Sequence, residues 1–237
     1  MSKIVIRGGH NFRCTGASAL IDETIEDRKV KDSIIKYLKL AGETVIDATP
    51  GNCTENDDLN YGTNMSDKNN ADYFIPIHFN KAYTSYKGAI GSEVWLNPDN
   101  KNSVAVGTRV LSKLYSLGFK NRGCKDGVNG EHLHDVKVPK ASSILIEVCF
   151  CEATEDVALY KKLGVDAIGK AIAEGIVGHS INIVVPVVAP VIKPVEVPIV
   201  PEKLYKIQAG AYKSKVEADK AIAELKAKGI DSFSKLV

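Results

Sequence analysis

Net charge is almost missing from this chain. Lys and Arg number 31 against 29 Asp and Glu, which leaves +2 over 237 residues. Without a Lys/Arg-rich cluster there is no electrostatic footprint for nucleic acid, and no such partner is expected. An uninterrupted apolar run long enough to cross a bilayer is also lacking. The one long apolar stretch, residues 181–201, is broken by five prolines and by Lys193 and Glu196, so no membrane insertion is expected. Cysteine is sparse: the five, at 14, 53, 124, 149 and 151, are odd in number and scattered. That argues against a disulfide framework and for reduced, mostly buried thiols. Cys149 and Cys151 are expected on opposite faces of their strand, so a metal role for that pair is weak. No secretory leader is visible, because Met1-Ser2-Lys3 runs straight into Ile4-Val5-Ile6 and a Gly-Gly turn. Synthesis in the cytoplasm without a signal peptide is therefore expected. Gly8-Gly9 is too short for a phosphate loop, and no Walker or dinucleotide fingerprint occurs.

What is present is an ordinary globular composition, 44% hydrophobic and 25% charged, with length for one well-cored domain and a small second one. Ser143 to Phe150 is a nearly continuous apolar run containing one carboxylate, Glu147. Such a run reads as a strand buried on both faces. A carboxylate there is costly unless paired, metal-bound or protonated. It is either a satisfied core Glu or a catalytic one held in a dry cleft.

Other strands are expected at Lys3–Arg7, Thr44–Ala48, Tyr73–Asn80 and Gly91–Leu96. Pro76 is awkward within its strand, because it removes a ladder donor. Helices are expected from about Glu23 to Ala41, stopped by Gly42, and over a polar stretch from Asp57 to Asn70. A third is expected behind a Ser103 cap, with Val106, Val110, Leu114 and Leu117 on one face, and a last one behind Thr154, carrying Ile168, Ala171, Ile172, Gly175 and Ile176. Residues 121–140 read as a Gly-rich polar loop. Alternating strands and helices make residues 1–180 an α/β domain with a mostly parallel twisted sheet flanked by helices. Residues 181–203 read as an extended Pro/Val linker. A small strand–helix module follows over 204–237.

Sites in parallel sheets form outside the carboxyl ends of strands. His10 lies just past the first strand, His78 near the end of the third, and Glu147 near the end of the last. The apolar stripe of the first helix (Val30, Ile34, Leu38), carried back toward its start, reaches Asp27 and Glu23. Acids on a buried stripe at a helix start serve as cap and dipole partners, or as metal ligands. Two imidazoles, a carboxylate and an open position make the ligand set of a catalytic zinc, with a further acid as base. Each histidine alone reads equally well as a surface or satisfied core residue. His132 and His134 read as an exposed loop pair, and His179 as a solvated residue beside the linker.

The run Ile4 to His10, the acid opening the next helix, Ala71 to Asn80 and Ile144 to Phe150 resemble the zinc-dependent N-acetylmuramoyl-L-alanine amidases. This is the catalytic domain shared by bacterial autolysins and phage endolysins. The resemblance covers about residues 3–178 and implies that His10, Glu23 and His78 hold Zn2+ and that Glu147 is catalytic. Glu26 is the rival third ligand, and stripe phase favours Glu23. The chain departs from the family's Asp-Pro-Gly-His opening with Arg7-Gly8-Gly9-His10, carries Pro76 where a Ser is usual, and has Lys81 where a small residue often follows Asn80. The tail from Leu204 resembles about half of a SPOR domain, a peptidoglycan-binding module, so self-association of such halves is one expectation. The implied activity is cleavage of the amide between the lactyl group of N-acetylmuramic acid and the L-alanine of the stem peptide in peptidoglycan. It would act on the bacterial cell wall after endolysin-like release and cause lysis. The alternatives are a zinc peptidase acting on stem peptides and a non-catalytic wall-binding protein.

Overall fold

The computed structural model describes residues 1–182 and 214–227, and contacts divide the chain into units Met1–Val185 and Pro186–Val237. The first unit is built on six strands: β1 Lys3–Gly8, β2 Thr44–Asp47, β3 Tyr73–Asn80, β4 Ser92–Leu96, β5 Asn121–Asp126 and β6 Ser142–Phe150. They form one sheet in the order β2-β1-β3-β6-β4-β5. β2, β1, β3 and β6 run parallel, whereas β4 pairs with β6 antiparallel and with β5 parallel. Pro76 is opposite Arg7 in a central strand, and the β3–β6 pairing skips from Phe74 to Ile77 around it.

Period-two alternation splits the sheet's side chains between two faces. Ile4, Ile6, Ile75, Ile77, Ile144 and Ile146 pack into the main core. Fully burying each such side chain stabilises by about 1.5–3 kcal/mol. That face is covered by α1 (Glu23–Leu40), α3 (Lys101–Ser116), α5 (Thr154–Leu163) and α6 (Val165–Val177). α6 lies between α1 and α3: an added Cβ at Gly169 would be 2.3 Å from Ser33 Oγ, and one at Gly175 would be 2.7 Å from Val110 Cα. The opposite face is covered by α2 (Glu55–Lys68) and α4 (His134–Lys137). Its anchor is Arg7, 1% exposed, which pairs with Asp58 of α2 and lies 3.4 Å from Asp135 of α4. Asn11 Nδ2 donates to the second Asp58 oxygen at 2.6 Å. The departure at Arg7 is thus the bolt that holds α2 and α4 to the sheet.

Several local expectations are corrected. The α3 cap is Asn100, whose side chain accepts from the Ser103 amide, and Ser103 is itself buried in the first turn. The single last helix is two, because Gly164 adopts φ 77° and ends α5. Residues 121–140 hold β5 and α4 rather than loop alone. Cys149 and Cys151 share one core cluster rather than lying on opposite faces, because residues two apart along an extended chain point to the same side. The polar helix exists as α2, capped by Thr54.

In the second unit the described element is α7, Lys215–Ala227, with a Lys215–Asp219 pair at 2.6 Å. The expected 181–203 linker from residue 183 on, the strand from Leu204, and any self-association through the tail lie outside the described residues. No helix among the described residues is long and apolar enough to cross a membrane.

Candidate metal centre

β1 ends at Gly8, and Gly9 donates its amide to Ile77 O of β3 at 2.9 Å. That bond draws the turn close against β3. A Cβ on Gly9 would be 2.1 Å from His78 Cε1, so a glycine is what this approach admits. The next residue, His10, sits at φ 54°, a left-handed conformation that side-chain-bearing residues seldom adopt. Arg28 holds it there: its Nη1 donates to Gly9 O at 3.0 Å and its Nη2 to His10 O at 2.8 Å. Asp27 Oδ1 accepts from the same guanidinium at 2.9 Å.

Glu23 opens α1 under the Asp22 cap. Its Oε1 lies 2.9 Å from His78 Nδ1 and accepts from the Phe79 amide at 3.1 Å. Its Oε2 accepts from the Ala17 amide at 2.7 Å and lies 3.5 Å from His10 Nε2. The two imidazole rings meet edge to face, 5.2 Å apart. Burial pushes the Glu23 carboxyl up, but the hydrogen bonds to His10 and His78 outweigh it and hold the group well below the usual carboxylate range. One ligand atom from each of His10, Glu23 and His78 falls within 4.8 Å of the others. Bonds of about 2.0–2.1 Å from two imidazole nitrogens and one carboxylate oxygen suit zinc with an open fourth position, and this donor set fits it. Gly16 leaves the space: a Cβ there would be 2.3 Å from Glu23 Oε2 and 2.5 Å from His10 Cδ2.

Glu147 stands beside this cluster. It is the ladder partner of His78 across β3 and β6, and of Glu93 across β6 and β4. All three side chains therefore leave the same sheet face. Glu147 is part-exposed as a residue, yet its Oε2 is sealed from solvent with no hydrogen-bond partner. Burial first, then the charges of Glu23 and Glu93, push its carboxyl well above the usual range. Glu93, 3% exposed, is satisfied by Asn80 Nδ2 at 2.7 Å, Trp95 Nε1 at 3.2 Å and Arg122 Nε at 2.7 Å.

The structure brings His10, Glu23, His78 and Glu147 to one rim. Glu26 points away, accepting from Tyr160 Oη at 2.7 Å and pairing with Lys29 at 2.8 Å. His132 is exposed at φ 53°, His134 begins α4 with its Nδ1 buried 3.6 Å from Asp135 Oδ1, and His179 is exposed. Sequence reasoning missed Arg28 and Glu93. The signal for Glu93 was there: it is an acid inside an apolar strand, as Glu147 is. Nothing local marks Arg28 for this role, because the bonds that fix the turn go to backbone carbonyls of another segment, Gly9 O and His10 O.

The sheet and its flanking helices form an α/β amidase fold. Residues 4–178 match the family model described as N-acetylmuramoyl-L-alanine amidase, and the chain belongs to that family. Residues 195–235 match the SPOR domain model. An uncharacterised protein of Clostridium perfringens is 46% identical over 175 residues, covering 73% of this chain and 51% of the relative. The amidase CwlM of Bacillus licheniformis is 26% identical over 236 residues, covering 98% of this chain and 84% of that one. The chain spans about half the length of the C. perfringens relatives it matches. Among solved structures, the catalytic domain of the CD27L endolysin targeting Clostridia difficile superposes with TM-score 0.67 at 28% identity, over 77% of this chain and 100% of that one. AmiC2 of Nostoc punctiforme gives 0.63 at 20% identity, over 75% and 96%, a likeness of fold alone.

Proposed function

We infer that residues 1–180 are a peptidoglycan amidase domain that cleaves the bond between the N-acetylmuramic acid lactyl carbonyl and the L-alanine nitrogen. The observation that carries this reading is the seating of Glu147 next to His78, itself within ligand distance of His10 and Glu23, in a chain of this family. His10, Glu23 and His78 would hold zinc, which when bound polarises the amide carbonyl and acidifies water. The chain's own groups account for the rest. Glu147 accepts a proton from the attacking water and delivers it to the leaving nitrogen of L-alanine. A carboxyl with raised proton affinity suits both transfers, because it can keep the proton until the amine departs. Glu23, fixed by two backbone amides, cannot swing away, so the imidazoles keep their spacing. The tail, residues 204–237 beyond a 181–203 linker, would hold the enzyme to the wall. The likeness to an endolysin catalytic domain supports release onto the wall from inside a cell.

The test is digestion of purified peptidoglycan with product analysis. New L-alanine amino termini on intact stem peptides are expected, and chelator should suppress them. Shortened peptides would instead identify a peptidase. Glu147→Gln should keep fold and zinc while losing turnover; wall lysis by that variant at the wild-type rate would remove Glu147 from its role. Zinc occupancy near zero in pure, folded protein, together with no digestion, would leave only a wall-binding role.

A further inference from the structure

An open cleft of about 740 Å3 has a lining that includes Leu20, Thr84, Tyr86, Lys87 and Glu152. Its walls come from segments that adjoin the site: Ala17 donates its amide to Glu23 Oε2 at 2.7 Å, and Lys81 Nζ donates to Ser18 O at 2.8 Å. Leu20 comes shortly before Glu23, the 81–91 loop follows the strand of His78, and Glu152 follows the strand of Glu147. We propose that this cleft is a glycan subsite, in which Tyr86, backed by Tyr83, seats a pyranose ring neighbouring the N-acetylmuramic acid that is cut, while the lactyl amide reaches the metal centre. This rests on the amidase reading and adds the part of the polymer that is gripped.

Three observations carry it. First, the platform is aromatic and open: Tyr83 and Tyr86 stack with centroids 5.5 Å apart and planes 25° apart, and are 55% and 36% exposed. A sugar lays its C–H face on an aromatic ring and turns its hydroxyls outward, here toward Thr84 and Lys87. Second, the cleft is built rather than loose. Glu152, 1% exposed, accepts the Ala82 and Tyr83 amides on Oε1 at 2.8 and 2.9 Å. Tyr86 N donates to Glu152 O at 3.2 Å, Thr154 N to Tyr86 O at 3.0 Å, and Leu20 N to Cys151 O at 3.1 Å. The platform is thereby tied to the chain just beyond β6, so little ordering remains to be done on binding. Third, the charges in the lining are one Lys and one Glu. A neutral sugar chain suits that balance, whereas the carboxylates of a stem peptide would call for a cationic wall.

The experiment uses the full chain and two soluble substrates, a monosaccharide N-acetylmuramoyl peptide and a tetrasaccharide bearing the same peptide. Tyr86→Ala should raise KM for the tetrasaccharide about three- to ten-fold, the span of an aromatic stacking contact, with kcat retained and the monosaccharide unaffected. Unchanged KM on both overturns the subsite, and an equal rise on both reassigns the cleft to the N-acetylmuramoyl peptide they share, which also overturns it. A second arm measures binding of chitotetraose, which has no peptide or lactyl group, to the Glu147→Gln protein with and without Tyr86→Ala. Loss of one class of binding sites on the second substitution supports the subsite, and identical isotherms overturn it. If the wild type cleaves neither substrate, the amidase reading fails while the chitotetraose arm still decides the cleft.

Discussion

Replacing Gly9 by alanine should empty the metal centre while leaving the fold standing. The new Cβ would be 2.1 Å from His78 Cε1, 2.5 Å from Nδ1 and 2.6 Å from Nε2. Ordinary contact begins near 3.4 Å, so the ring or the turn must move by more than an ångström. Neither is free to do so. His78 is held by Glu23 Oε1 at 2.9 Å, and Gly9 by Ile77 O at 2.9 Å and Arg28 Nη1 at 3.0 Å. Overpacking of this kind costs about 1–3 kcal/mol. At about 2–4 °C per kcal/mol for a domain of this size, the melting temperature should fall by roughly 2–12 °C. Metal binding is less forgiving, because ligand distances tolerate only about 0.2 Å; zinc affinity should drop at least about 10–100-fold, the effect of disturbing a ligand's supports. Thermal melts, zinc content after dialysis against a competing chelator, and amide hydrolysis check the three parts. Gly51→Ala is the control, since a Cβ there meets nothing within 4 Å. A Gly9→Ala protein with native zinc affinity and full turnover would refute the reasoning.

Four further outcomes follow from the same geometry. Glu23→Gln should lose zinc while Glu26→Gln keeps it, measured by metal content of the purified variants; the reverse would move the ligand one helical turn. Glu93→Gln should shift the acidic limb of the kcat/KM–pH profile downward, because it removes one of the negative neighbours that, after burial, raise the Glu147 carboxyl. Asp27 is pushed up to about 8, mainly by burial, with Arg28 opposing and Glu23 adding to the rise. The folded state therefore keeps a proton that the unfolded chain gives up near pH 4, and this group's contribution to stability drains away between about pH 4 and 8; the melting-temperature difference between Asp27→Asn and wild type should grow in the variant's favour across that window. Arg7→Met strands Asp58 and Asp135 without their cation and should cost about 3–5 kcal/mol in denaturant unfolding.

Much of this was readable from the residues because period and chemistry coincide. The apolar runs at β1, β3 and β6 are long and bounded, and the α1 stripe carried its own phase back to Glu23. Where reading failed, the deciding partner was distant in the chain. Asn100 won the α3 cap because Ser103 is drawn inward, which is a packing outcome. β5 was hidden because Asn121–Asp126 is polar and half-exposed at a sheet edge, so alternation left no trace. The break at Gly164 lay inside a pattern that continues in phase on either side. Arg7 looked like a departure from a family motif, and only the position of α2 and α4 reveals what it joins. The tail's extent, 204–237, stays a proposal supported by the family match over 195–235.

The reversal of β4 has a consequence for how such a protein can change. Glu147 is flanked by a strand running with it on one side and a strand running against it on the other. The first flank contributes His78 to the candidate metal centre and the second contributes the acidic companion Glu93, with the 81–91 loop running between the two strands. A one-residue register slip of β4 against β6 would turn Glu93 to the other sheet face and leave the His78 pairing untouched. Under the proposed mechanism, lineages could thus retune the proton affinity of Glu147 without rebuilding the cluster of His10, Glu23 and His78.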